Sequence, residues 1–317
     1  MFRRVVVLLD GSELAEQVLP HVEEVIRGRG SDVHLLSVVP AMTPAAVAMV
    51  EIHAVYVTAD FLAGEAEERE RIQQELGRYL EGVAERLRPL AALVQTVIRS
   101  GHAAEEILRY AEETQADLIA MCTHGRSGLS RWVYGSVADK VLRAAGCPVL
   151  LVRVHPPQPT EPPTHRRLLV PLDGSALAEC VLPHVRGLVR PGQTQLHLLS
   201  VLPTGLERTV TLLTSYPPGL QISTSARSQA RAQLEVYLRG VAAPLRELGA
   251  SVRSEVREGN PAEEILDVAR EVLTDLIVLN THGLSGMSRW VYGSVADRVL
   301  RGASCPVLLV RACPDEG

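Results

Sequence analysis

The chain has 317 residues, 46% hydrophobic but only 3% aromatic, a length for about two domains with aliphatic cores. A formal net charge of −5 and a pI near 6.1 argue against a nucleic-acid partner, which needs a clustered basic field. No apolar run reaches membrane-spanning length, and five cysteines without a Cys-x-x-Cys pair argue against a zinc knuckle or a disulfide framework.

In chain order, Arg4–Leu9 is a β-branched apolar run, the pattern of a strand buried on both faces. The run is too short for a signal-peptide core and ends in Asp10-Gly-Ser, so the expected location is cytoplasmic. Ser12–Arg27 places Leu14, Val18, Val22 and Val25 at helical spacing, with Ser12 as N-cap. Val33–Val38 is the second strand, and residues 40–60 show no clean period. Phe61–Leu90 reads as a long helix with a narrow apolar stripe, Leu93–Arg99 as strand three, and Ala103–Glu113 as a helix. Leu118–Cys122 is strand four, Val137–Ala144 a helix and Pro148–Val154 strand five.

The series then repeats. Val7–Glu16 answers to Val170–Glu179 at an offset of 163, and from Tyr79 and Tyr237 onward the offset is 158. The first copy thus carries five extra residues between about 40 and 75, where a surface excursion absorbs length. Thr123–Arg153 and Thr281–Arg311 share 26 of 31 residues. The expected domains are residues 1–154 and 165–317, joined by a proline-rich linker over 155–164. Strands alternating with helices should be parallel with right-handed crossovers. The expected fold is therefore α/β: two repeated, doubly wound, five-stranded, Rossmann-like domains. If strands one and four flank the switch point, Asp10 and the 123–136 loop face one crevice, as do Asp173 and 281–294.

That loop carries the chemistry. Gly125, Gly128 and Gly135, with their counterparts Gly283, Gly286 and Gly293, suit the approach of backbone N–H groups to an anion. Ser136 and Ser294 open a helix, where free N–H groups and the helix dipole favour negative charge. Arg126 and Arg131 could add positive charge. A bland alternative stands beside this: Ser136-x-x-Asp139 and Ser294-x-x-Asp297 match a capping pattern that needs no ligand. Asp10 and Asp173 are either turn carboxylates or N-caps, or else acceptors for a sugar hydroxyl or a base amino group, or an indirect metal contact. The loop is neither a Walker loop nor a Rossmann glycine fingerprint, nor does it hold a nucleophile elbow. His124 and His282 have no partner at metal spacing, and no residue is nominated as catalytic.

These residues resemble the universal stress protein family over essentially the whole chain, as a tandem pair. The family's nucleotide-binding branch carries Gly-x2-Gly-x9-Gly-Ser/Thr after strand four. Gly125, Gly135 and Ser136 match it, as do Gly283, Gly293 and Ser294, whereas Cys122 and Asn280 stand at the first glycine. The resemblance implies ATP, commonly with a divalent cation such as Mg. It implies that Asp10, Asp173, Val38 and Val201 frame adenine and ribose, and that Gly101 and Gly259 line the pocket floor. It also implies pairing through strand five, within the chain as a pseudo-dimer or between chains as a homo-oligomer. Three readings follow: an ATP-binding stress-response protein, an interaction module that binds no nucleotide, or an enzyme, either a slow ATPase or an adenylate-forming enzyme of the same broad fold. The differences Cys122/Asn280 and Arg126/Leu284 lead us to expect two sites of unequal affinity.

Overall fold

A computed structural model describes residues 2–40, 59–123, 135–153, 164–204, 224–281 and 293–311. Contacts divide the chain into two compact units, Phe2–Cys147 and the residues from Pro148 onward.

The first unit runs β1 (Arg4–Leu8), α1 (Glu13–Glu16), α2 (Leu19–Ile26), β2 (Asp32–Val39), α3 (Ala59–Leu87), β3 (Leu93–Ser100), α4 (Ala103–Glu113), β4 (Leu118–Cys122) and α5 (Ser136–Ala144). Its strands lie in the order β3-β2-β1-β4, and the described ladders are all parallel. The expected switch point is therefore present: β1 pairs with β2 on one side and β4 on the other. The central strands are apolar because both faces are covered. Val5, Val6, Val7, Leu118, Ile119 and Ala120 have no solvent exposure.

The second unit begins with β5 (Val149–Val152) and continues β6 (Arg167–Pro171), α6 (Ala176–Glu179), α7 (Leu182–Leu188), β7 (Gln195–Pro203), α8 (Thr224–Glu247), β8 (Ser251–Gly259), α9 (Pro261–Glu271), β9 (Leu276–Asn280), α10 (Ser294–Gly302) and β10 (Val307–Val310). Its strand order is β5-β10-β9-β6-β7-β8. All described pairs are parallel except β5 with β10, which run antiparallel with Leu151 opposite Val307. Both strands read Val-Leu-Leu-Val and are buried throughout. Strand five of the first repeat thus belongs by its contacts to the unit that holds the second repeat.

One element differs from expectation. The helix read over Ser12–Arg27 is two helices, α1 and α2, broken at Gln17–Val18. Pro20 is the reason. It has no N–H to give the Glu16 carbonyl, and its ring would crowd that carbonyl in a continuous helix. In the first turn of a new helix neither defect matters, and Pro20 sits there. Pro183 breaks the second repeat in the same place.

Turns fix the ends of these elements. Gly249 follows α8 with φ +83°, and a Cβ there would lie 3.1 Å from the Pro191 Cα. Its carbonyl accepts from Gly192 N at 2.9 Å, so neither turn has room to retreat. Gly249→Ala is expected to destabilise the chain by about 1–2 kcal/mol, read as a lower denaturant midpoint.

Candidate functional site

The strand ends build the site. In each repeat β1 or β6 stops at an Asp-Gly-Ser turn whose glycine has φ near +80°, at Gly11 and Gly174. The aspartate closes the turn: Asp10 Oδ1 accepts from Ser12 N at 3.0 Å and Ser12 Oγ at 2.6 Å. Asp173 accepts from Ser175 N and Oγ at the same distances. Each serine Oγ in turn caps the short helix, accepting from Ala15 N at 3.2 Å or Ala178 N at 3.1 Å. The turn reading of both aspartates is therefore realised. It does not exhaust them, because a carboxylate has acceptor capacity beyond one oxygen. Ser200 Oγ donates to the Leu172 carbonyl at 2.6 Å, fixing β6 just before Asp173, and Ser37 bonds the Leu9 carbonyl in the same way.

The helix starts contradict the capping pattern read from sequence. The N-cap of α5 is Gly135 and that of α10 is Gly293, and neither helix has a side-chain cap bond. Ser136 and Ser294 are one residue further in and exposed. Asp139 turns away to Arg143, with bonds of 2.9 and 3.1 Å, and Asp297 turns to Arg301 at 2.9 Å. An i,i+4 ion pair has replaced the capping box, so among the described residues no N-cap side chain accepts from the first N–H groups of either helix. The two glycines are not needed for left-handed backbone either: φ is −56° at Gly135 and −60° at Gly293. A Cβ at Gly135 would instead meet the Thr123 carbonyl at 3.4 Å, the oxygen that accepts from Gly135 N.

In the second unit these parts line one cavity of about 790 Å³, within the range of small-molecule sites. Asp173, Val201, Gly293 and Ser294 all face it. Gly259 does not line it, although its neighbours Asn260, Pro261 and Ala262 do. At Gly259 the backbone is packed on Glu264, whose Cγ would lie 2.9 Å from an added Cβ, and Gly101 meets Glu106 in the same manner. In the first unit Asp10 and Val38 occupy the matching strand ends, and Ser136 the matching helix start. Gly125, Gly128, Gly283 and Gly286 lie outside the described residues, as do His124, His282, Arg126, Arg131 and Leu284.

Sequence reading missed part of the wall. Leu234 and Tyr237 descend from α8, and Arg298 comes from the second turn of α10. Burial, then the nearby Glu179 and Asp173 carboxylates, push the Tyr237 hydroxyl well above the usual phenol range. Arg298 was legible: it stands four residues after Ser294, on the same helix face. Leu234 and Tyr237 needed knowledge of which way the long helix turns.

Cys122 and Asn280, at the place of the first motif glycine, have a structural use. Cys122 Sγ donates to the Ala15 carbonyl at 3.5 Å, and Asn280 Nδ2 donates to Leu177. Each ties the end of its strand to the short helix after the aspartate turn. Burial pushes the Cys122 thiol up to about 12, so it stays protonated at neutral pH.

No helix among the described residues is long and apolar enough to cross a membrane. Nor, among them, do three or more His, Cys, Asp or Glu side chains gather to hold a metal.

A family model described as the universal stress protein family matches residues 1–153 and again 164–311. The chain is 29% identical over 153 residues to universal stress protein YxiE of Bacillus subtilis, covering 48% of this chain and all of that one. It is 46% identical over 65 residues to a universal stress protein of Methanocaldococcus jannaschii, a stretch covering 20% of this chain and 38% of that protein. A universal stress protein from Archaeoglobus fulgidus has a similar fold, with a TM-score of 0.65 at 19% identity over 99% of this chain and 97% of the other. Two matches to one family model, together spanning nearly the whole sequence, place the chain in the universal stress protein family, as a tandem of two such domains.

Proposed function

We propose that this is an ATP-binding member of the family, with one nucleotide held between the strand-one end and the helix start in each repeat. The cavity of the second unit carries the reading. It combines an apolar wall from Leu172, Leu199, Val201 and Leu234, suited to a base, with a carboxylate at Asp173 and an uncapped helix start at Gly293-Ser294. An apolar slot alone would fit many ligands. A helix amino terminus without a side-chain cap calls for an anion, and Arg298 adds a cation on the same wall. The first repeat has the same residues at the matching turn and helix start, and we assign it the same ligand. A divalent cation would travel with the phosphates, since Asp10 and Asp173 are single carboxylates. Hydrolysis is not part of the proposal. The two sites differ at Cys122/Asn280 and Lys140/Arg298, and unequal affinities are expected.

Binding to the folded state alone adds about 2.7 kcal/mol at 100 times Kd. Millimolar ATP with magnesium is therefore expected to raise the heat-unfolding midpoint by about 5–10 °C, and adenosine by less. A midpoint unmoved by ATP would favour the reading of a family member that binds no nucleotide.

A further inference from the structure

The opposite end of the second unit's sheet holds a smaller cavity, of about 260 Å³. Its polar lining is Arg167, Gln195, His197, Ser251 and Arg253. The ladder explains why these five meet. Arg167 is in register with Gln195, and Gln195 with Ser251, across β6, β7 and β8. His197 and Arg253 form the adjacent pair two residues on, which the two-residue repeat of a strand puts on the same face. No carboxylate lines the cavity among the described residues. Two carboxylates beside it are committed to neighbouring cations and to His197. Asp275 holds Arg167 Nη2 at 2.6 Å and Nε at 3.2 Å. Glu255 takes His197 Nε2 at 3.1 Å and Arg257 Nε at 2.8 Å. Among the described residues Arg253 keeps one long ion pair, with Glu255 at 3.7 Å, and its side chain is 72% exposed.

The first repeat is an internal comparison. There the corresponding row is Arg4, Asp32 and Leu93, followed by His34 and Gln95. A carboxylate stands in place of Gln195, a leucine in place of Ser251 and a neutral amide in place of Arg253. The space is also used differently. Arg4 Nη1 crosses to the Thr114 carbonyl at 2.8 Å and Gln115 Oε1 at 3.2 Å. The Tyr110 ring stacks edge-on against His34, its hydroxyl 2.7 Å from Nδ1. The second repeat has Val268 in place of Tyr110, and Arg167 turns to Asp275 instead. The exchanges at Gln195, Ser251, Arg253 and Val268 each remove negative charge, add a donor or open space, whereas Arg167 gains a carboxylate partner and Glu255 stands where the first repeat has Val97.

We propose that the second repeat carries a binding site for a small oxyanion of the phosphate class, formed by Arg167, Gln195, Ser251 and Arg253 at the amino ends of β6, β7 and β8. The Arg253 guanidinium supplies charge in planar fork geometry, Arg167 offers the Nη1 edge that Asp275 leaves, and the amide and hydroxyl supply neutral donors. The volume suits a free dianion rather than a nucleotide. The site is separate from the crevice at the carboxyl ends of the strands and does not depend on the nucleotide reading.

The test is calorimetric titration of the full chain with inorganic phosphate, in chloride buffer at constant ionic strength. Arg253→Gln and Gln195→Asp each install the residue the first repeat already accommodates, so both are expected to fold, with circular dichroism as the check. The parent is expected to bind phosphate saturably. Both variants are expected to weaken it by at least about tenfold, the loss of one hydrogen bond to a charged group. No binding by the parent would overturn the proposal. So would parental affinity in both variants, which would put the phosphate elsewhere on the chain.

Discussion

Ser294→Asp is expected to lower ATP affinity at the second repeat by at least about 100-fold while leaving the fold intact. The two effects separate because the same position is judged by two different neighbours. For the helix, a carboxylate in the first turn is favourable by roughly 0.3–1 kcal/mol, since it faces the positive end of the dipole. Ser294 is exposed and makes no cap bond that the change would break. For a bound phosphate, the same carboxylate is a like charge at contact distance. Two charges about 4 Å apart at an effective dielectric near 20 repel by about 4 kcal/mol, which is larger than the 100-fold loss requires. Ser294→Ala removes only a neutral donor and is expected to cost about tenfold or less. If the loop were purely structural, Ser294→Asp would raise stability slightly and change nothing else.

Asp275→Asn is expected to cost about 2–4 kcal/mol of stability at neutral pH, well beyond the effect of Asp117→Asn at the matching place. Asp275 accepts from Arg166 N at 3.1 Å, Arg167 N at 3.0 Å and the Arg167 guanidinium. Its side chain is 14% exposed. An amide of the same size turns one acceptor into a donor facing other donors, and leaves a half-buried guanidinium unpaired. Asp117 accepts Arg3 N at 2.7 Å and Arg4 N at 3.2 Å, but the Arg4 guanidinium goes elsewhere. The pH dependence follows from the same contacts. Burial pulls the Asp275 pKa up, and the Arg167 hydrogen bonds outweigh it and hold it below the usual carboxylate range. A group with a depressed folded pKa stabilises above its unfolded value and loses that contribution as pH falls through the folded one. The gap between parent and Asp275→Asn should thus be full above about pH 4 and shrink below it. Denaturant unfolding at several pH values checks both points, and equal midpoints for the Asp275→Asn and Asp117→Asn variants would contradict them.

Much of the framework was legible because it rests on periodicity. Apolar runs such as Val5–Val7 and Leu118–Ala120 mark strands covered on both faces, and the repeated alternation with helices dictates a parallel sheet. The strand-one aspartates were found because a carboxylate after a buried run must sit at a sheet edge. What misled was local competition between partners. Ser136 and Asp139 match a capping box, yet Arg143 outbids the backbone for the carboxylate, which only the helix face reveals. Pro20 was read through as part of one helix although its missing N–H forces a restart. Leu234 and Tyr237 escaped because a site wall made by a long helix depends on its rotation, and the oxyanion row at β6–β8 depends on strand register. Neither is written in a single segment.

Native mass spectrometry of the full chain with ATP and magnesium addresses the crevices most directly. The parent is expected to carry one or two adenine nucleotides per chain, the two leaving at different ATP concentrations, and the Ser136→Asp/Ser294→Asp double variant none. A parent chain that holds no nucleotide at millimolar ATP, or a folded double variant that binds it as the parent does, would contradict the assignment of ATP to these crevices.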